Sequence, residues 1–136
     1  MKLNLTPTAE AVTRRWIAEK YRNLGDADGE SLILHYINEG NYDMGGDLIS
    51  TGSELGKSIP AKMISRRISS SGASSFAIIH NHIAEPNSKP SKQDDEMTKR
   101  IHKIGEILGI QLFDSFIICR TGWFCYHTKK ETKYEN

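Results

Sequence analysis

His80-Asn81-His82 sets two imidazoles two residues apart, and Ser91-x-x-Asp94 completes the pattern within fifteen residues of the first of them. A catalytic zinc ion needs about that much: three protein ligands, a fourth position for water, and a group that handles protons. If the histidines end a strand, side chains at i and i+2 share a face, so His80 and His82 point together and Asn81 turns away. Asp94, in the first turn of a following helix, would then supply an oxygen ligand. Ser91 would donate a hydrogen bond to a developing oxyanion or to the water. The same Ser-x-x-Asp is also a helix capping box, a role that suits Ser91 and competes for the Asp94 carboxylate. His35, His102 and His127 have no such company and read as structural or surface residues.

The elements needed to hold these groups are legible in the pattern of apolar residues. Thr6-Pro7 reads as a helix start, Ala9, Val12, Trp16 and Ile17 recur at helical spacing, and Leu24-Gly25 reads as its stop. Residues 31–37 form a β-rich apolar run, Glu39-Gly40-Asn41 carries turn chemistry, and residues 44–50 read as the returning strand. Pro60 opens a second helix with Ile64 and Ile68 one turn apart, closed by Ser69-Ser70-Ser71-Gly72. Residues 76–79 are too short for a helix and lead into His80 as a buried strand, and residues 83–90 are a loop. A third helix runs from Ser91 to about Leu108, with Met97, Ile101, Ile104 and Leu108 on one stripe and Gly109 at its end. Two last strands, 110–119 and 123–127, turn at Thr121-Gly122. The expectation is an α/β domain, a mixed β-sheet flanked by about three helices, over residues 1–128. The charged tail 129–136 is expected to fray.

Composition narrows the partners. The 136 residues carry 18 Lys+Arg against 17 Asp+Glu, a net charge of +1, so no global field calls for nucleic acid or an anionic membrane. Arg14-Arg15 and Arg66-Arg67 are local basic pairs of the kind that solvated helix faces carry. There is no signal-peptide h-region and no stretch near the ~18 apolar residues of a membrane span. Cys119 and Cys125 would not sit opposite each other across the turn, so no disulfide is indicated, and a cytoplasmic, reduced location is the default.

These residues resemble a known family. His80-Asn81-His82, a Pro-containing loop, Pro90-Ser91-x-x-Asp94 and Thr98 are similar to the RadC family within the JAMM/MPN+ metalloproteases, whose pattern here is His-Asn-His-Pro-Ser-Gly, a short loop, then Pro-Ser-x-x-Asp-x-x-x-Thr. Leu108-Gly109-Ile110, the run 114–118, Thr51-Gly52-Ser53, Ile59-Pro60 and Glu30 before the first strand extend the resemblance over about residues 8–126. The resemblance implies a JAMM/MPN-like (cytidine-deaminase-like) fold, with His80, His82 and Asp94 holding Zn2+. The helical region that precedes this domain in full-length RadC proteins is expected to be missing.

The departures matter as much. Ile83-Ala84-Glu85 replaces the family's Pro-Ser-Gly, the loop is one residue longer, and Ser115 stands where the family has His. JAMM enzymes use a Glu on an earlier strand as general base, and counting back five residues from Gly52 reaches Asp47. An Asp there has an arm shorter by one methylene, roughly 1.5 Å. Glu54 and Glu85 are other carboxylates near in sequence, with nothing to bring either to the metal. The implied function is a zinc-dependent hydrolase of JAMM type cleaving a peptide or isopeptide bond, with Asp47 moving protons and Ser91 steadying the oxyanion. The alternative is a metal-binding module with little or no catalysis, acting through protein or DNA contacts, although no basic stripe supports DNA. A literal HNH nuclease is rejected, because that class spreads its histidines over a ββα-metal unit.

Overall fold

The computed structural model describes residues 2–3, 9–51, 59–83 and 88–135. Helix α1 (Glu10–Lys20) and a 3-10 turn (Arg22–Asp26) lead into strands β1 (Ser31–Ile37) and β2 (Asp43–Thr51). Helix α2 (Ala61–Ser70), strand β3 (Ser75–Asn81) and helix α3 (Lys92–Leu108) follow. Strands β4 (Gln111–Ile118), β5 (Gly122–Cys125) and β6 (Lys130–Lys133) complete a six-stranded sheet in the order β2-β1-β3-β4-β5-β6. Among the described strands only β3 and β4 run parallel, and α3 is the crossover between them. The sheet is therefore mixed, with the helices packed on its two faces.

Strand β3 is buried along its whole length, as expected of a central strand covered on both sides. One face carries Leu32, Leu34, Phe76 and Ile78 against Ile64 and Ile68 of α2 and Ile101 and Ile104 of α3. The other carries Ala77, Ile79, Phe116 and Ile118 against Ile17 and Ala18 of α1. The β1–β2 turn is closed by Asn38, whose side-chain oxygen accepts from the amides of Gly40 (2.9 Å) and Tyr42 (3.0 Å). Gly109 ends α3 with φ 73°, a left-handed value that suits a residue lacking Cβ.

Two expectations need correction. The first helix does not reach Leu24: it stops at Lys20, and the 3-10 turn takes over, seating Gly25 so tightly on Cys119 and Arg120 that no Cβ would fit. The start expected at Thr6-Pro7 lies outside the described residues. The tail does not fray either. Residues 130–133 pair with β5 as an edge strand, where lysines facing water are ordinary. Tyr134 then buries its ring 5.4 Å from Trp123, with the Arg22 guanidinium 4.2 Å above it. No helix among the described residues is long and apolar enough to cross a membrane.

Candidate metal centre

The alternation of β3 decides where the histidines look. Phe76 and Ile78 face α2 and α3, so His80 does too, whereas Ala77, Ile79 and Asn81 face α1. Asn81 is fully buried: its oxygen accepts from the Ser31 amide (2.6 Å) and its amide group donates to the Leu24 (2.7 Å) and Gly29 (3.1 Å) carbonyls. It ties the 3-10 turn to the sheet and gives β3 a fixed end. His82 continues the line, its amide bonded to the Ile118 carbonyl at 2.9 Å.

Helix α3 brings the third group. Ser91 is its N-cap, and the capping box is complete: the Ser91 hydroxyl accepts from the Asp94 amide (3.1 Å), and Asp94 Oδ2 accepts from the Ser91 amide (2.8 Å). The same carboxylate meets both imidazoles, with His82 Nε2 3.0 Å from Oδ2 and His80 Nε2 3.1 Å from Oδ1. Capping and the histidines thus share one carboxylate rather than excluding each other. Ligand atoms of His80, His82 and Asp94 all lie within 4.8 Å of one another.

Electrostatics favour a cation at this point. Burial alone would raise the Asp94 pKa, but the His80 and His82 side chains and the Ser91 amide outweigh it and hold the carboxyl far below its usual range. His80 is only 3% exposed, and apart from the 3.1 Å approach of Nε2 to Asp94 its ring nitrogens meet no polar partner among the described residues. Leaving such groups unsatisfied is costly, and a metal ion would satisfy a nitrogen. Two imidazoles and a carboxylate form a donor set that fits a divalent ion with an open coordination position.

Sequence comparison agrees with this geometry. Residues 8–132 match the RadC-like JAB domain. The chain belongs to that family. Among curated relatives, a UPF0758 protein of Finegoldia magna is 30% identical over 105 residues, covering 75% of this chain and 46% of the relative. A UPF0758 protein of Thermotoga maritima is 31% identical over 88 residues, covering 65% of this chain and 39% of the relative. The chain thus spans less than half the length of these RadC-like relatives.

The carboxylate singled out by counting is not at the RadC-like cluster. Asp47 lies on β2 opposite Leu34, two strands from β3 and two residues down from the His80 level, about 12 Å away by strand geometry. It is held instead by Arg67, through Nε at 3.0 Å and a closer Nη2 contact, and by the Tyr36 hydroxyl at 2.7 Å. Glu54 and Glu85 lie outside the described residues. A different carboxylate comes forward. The pairing of β1 with β3 ends at Leu32 and His80, and carrying that antiparallel register two residues further puts Glu30 level with His82, on the same face. Glu30 was visible in the sequence as a family residue; only the pairing of β1 with β3 gives it a location. At the family's His position, Ser115 meets Thr98 across a buried 3.4 Å contact, tying β4 to α3.

Proposed function

We propose that this chain is a zinc-dependent hydrolase of the JAMM type, cleaving a peptide or isopeptide bond, with His80, His82 and Asp94 as metal ligands and Glu30 as the proton-handling group. The observation that carries the reading is the buried His80 ring facing the Asp94 carboxylate at 3.1 Å, with no other polar partner among the described residues. Zinc bound there would polarise the substrate carbonyl and lower the pKa of a water towards about 7. Glu30, across from His82, takes a proton as water adds to the carbonyl carbon and returns it to the departing amine nitrogen. Ser91 accepts from the Asp94 amide, and a hydroxyl that accepts still has a proton to give. It donates that proton's hydrogen bond to the carbonyl oxygen as negative charge grows there. Asp47 is left out of the chemistry, since a carboxylate already held by a guanidinium and a phenol is a poor proton acceptor.

One observation keeps a second reading in play. The carboxylate at the counted base position is committed to Arg67, which suits a metal-binding module acting through protein or nucleic-acid contacts. Zinc content and cleavage of a mixed peptide and isopeptide library, measured for wild type, His80→Ala and Glu30→Gln, separate the two. The enzyme reading expects zinc and turnover in wild type, neither in His80→Ala, and zinc without turnover in Glu30→Gln. Zinc in wild type with no cleavage would leave the binding module. A wild type that takes up no zinc would end both.

A further inference from the structure

The three proposed ligands are not equally well anchored. His80 is held within a strand that is buried from end to end, and His82 follows directly behind Asn81. Asp94 comes from the first turn of α3, and the buried residues of that helix are Thr98, Ile101, Ile104 and Gly105, all beyond that turn. Core packing therefore fixes the axis of α3 but gives its first turn little to rest on. Two contacts supply what the core does not, and both come from the C-terminal β5–β6 hairpin. Ser88, only 1% exposed, donates from its amide (3.0 Å) and its hydroxyl (3.1 Å) to one oxygen of Glu131 on β6. Tyr126, just after β5, donates its hydroxyl to Asp95 at 2.9 Å.

These grips fall at residues 88 and 95, on either side of Ser91 and Asp94. Glu131 pairs with Phe124, Phe124 with Ile117 and Ile117 with His80, so its carboxylate works on the histidine face three ladders, about 14 Å, from β3. Tyr126 is itself steadied edge-on against Phe124, ring centroids 5.2 Å apart. We infer that Glu131 and Tyr126 are positioning residues for the metal centre: the hairpin clamps the Ser91–Asp94 turn from both sides and so sets the Asp94 carboxylate against the two imidazoles. A bond from two N–H or O–H donors to an ionised carboxylate is among the stronger single anchors available.

The inference rests on the metal reading above, and its test keeps the two apart. Zinc dissociation constants are measured by chelator competition, well below the melting transition, for wild type, Glu131→Ala, Glu131→Gln, Tyr126→Phe and the exposed neighbour Lys130→Ala. Loss of groups that orient a ligand weakens metal binding by about 10- to 100-fold. Glu131→Ala is expected to fall in that range, and Tyr126→Phe, which keeps the ring packing, to lose a few-fold. Glu131→Gln should recover most of the affinity, because its amide oxygen accepts from both Ser88 donors. Lys130→Ala should match wild type. Should Glu131→Ala not fold, Ser88→Ala removes one of the two donors and should weaken zinc by a smaller factor. Wild-type affinity in Glu131→Ala, or no recovery in Glu131→Gln, overturns this inference alone. Absence of zinc from wild type overturns the metal reading, and this inference falls with it.

Discussion

Asp94 and Asp47 stand on the same face of one sheet, and their surroundings differ in a way that sorts their roles. Asp47 sits on the edge strand β2, where a guanidinium and a phenol occupy its oxygens. Asp94 sits over the central strand, where two imidazoles and a backbone amide approach it. The first arrangement is complete without any addition. In the second, the buried His80 ring meets no polar partner but Asp94 among the described residues. Asp47 already has its cation in Arg67, whereas Asp94 is gathered with two imidazoles, the donor set that a divalent ion takes.

The largest effect should come from Asp94→Ala, and the sharpest contrast from Asp47→Ala beside it. Removing Asp94 should abolish stoichiometric zinc binding and cost about 1 kcal/mol of stability through the lost return bond of the capping box to the Ser91 amide. Removing Asp47 should leave zinc content unchanged and cost about 1 kcal/mol, since Arg67 is 40% exposed and the Tyr36 hydroxyl loses its acceptor. Metal analysis and thermal melts of both variants would break the comparison if Asp47→Ala lost its metal. Next in size is Glu30→Gln, expected to lower turnover by about 10²- to 10⁴-fold with zinc retained, while Asp47→Asn leaves turnover within a few-fold. Steady-state rates on a cleaved substrate would decide between the two carboxylates.

These contrasts also show what the sequence could and could not disclose. The His80–His82–Asp94 cluster was legible because strand alternation and the helix cap act over a few residues, and both operate here as their local rules require. Asp47 misled because counting along the chain cannot see Arg67, twenty residues on, lying across β2 from α2. Glu30 gained its place from pairing between strands forty-odd residues apart, which no local pattern reveals. The same holds for β6: read alone, residues 130–133 are a charged run, and only the exposed edge of β5 and the Trp123 ring give them partners. Its clamp on Ser88 depends on that pairing, so it was invisible too.

The edge half of the sheet can be tested for a purely structural role. Gly46 on β2 lies against the Tyr21 hydroxyl so closely that an added Cβ would overlap it. Gly46→Ala should therefore cost about 1–3 kcal/mol by overpacking, with zinc affinity unaltered in the folded fraction. A melt unchanged from wild type would mean that Tyr21 moves aside freely.

Tyr21 leads to the smallest expected effect, which comes from a histidine on the opposite face of the sheet from His80. His35 is fully buried on the α1 face, with the Tyr21 hydroxyl 2.6 Å from Nδ1 and Asp43 Oδ1 2.7 Å from Nε2. Burial lowers its pKa, helped by Lys20, and outweighs the pull of Asp43 in the other direction. The folded protein then holds fewer protons at this site than the unfolded chain does just below pH 6.5. Its contribution to stability is complete above that value and shrinks as pH falls through the window beneath it. Melting temperatures between pH 7.5 and 5 should decline less in His35→Gln than in wild type. Asp94 does not enter this window, because a carboxyl with a depressed pKa exchanges its protons below about pH 4. If the two slopes coincide, His35 titrates as it would in water, and the edge of the sheet is more open than its burial implies. If they separate, packing on the α1 face keeps His35 neutral, whereas His80 and His82 on the other face are set against a carboxylate that both can reach.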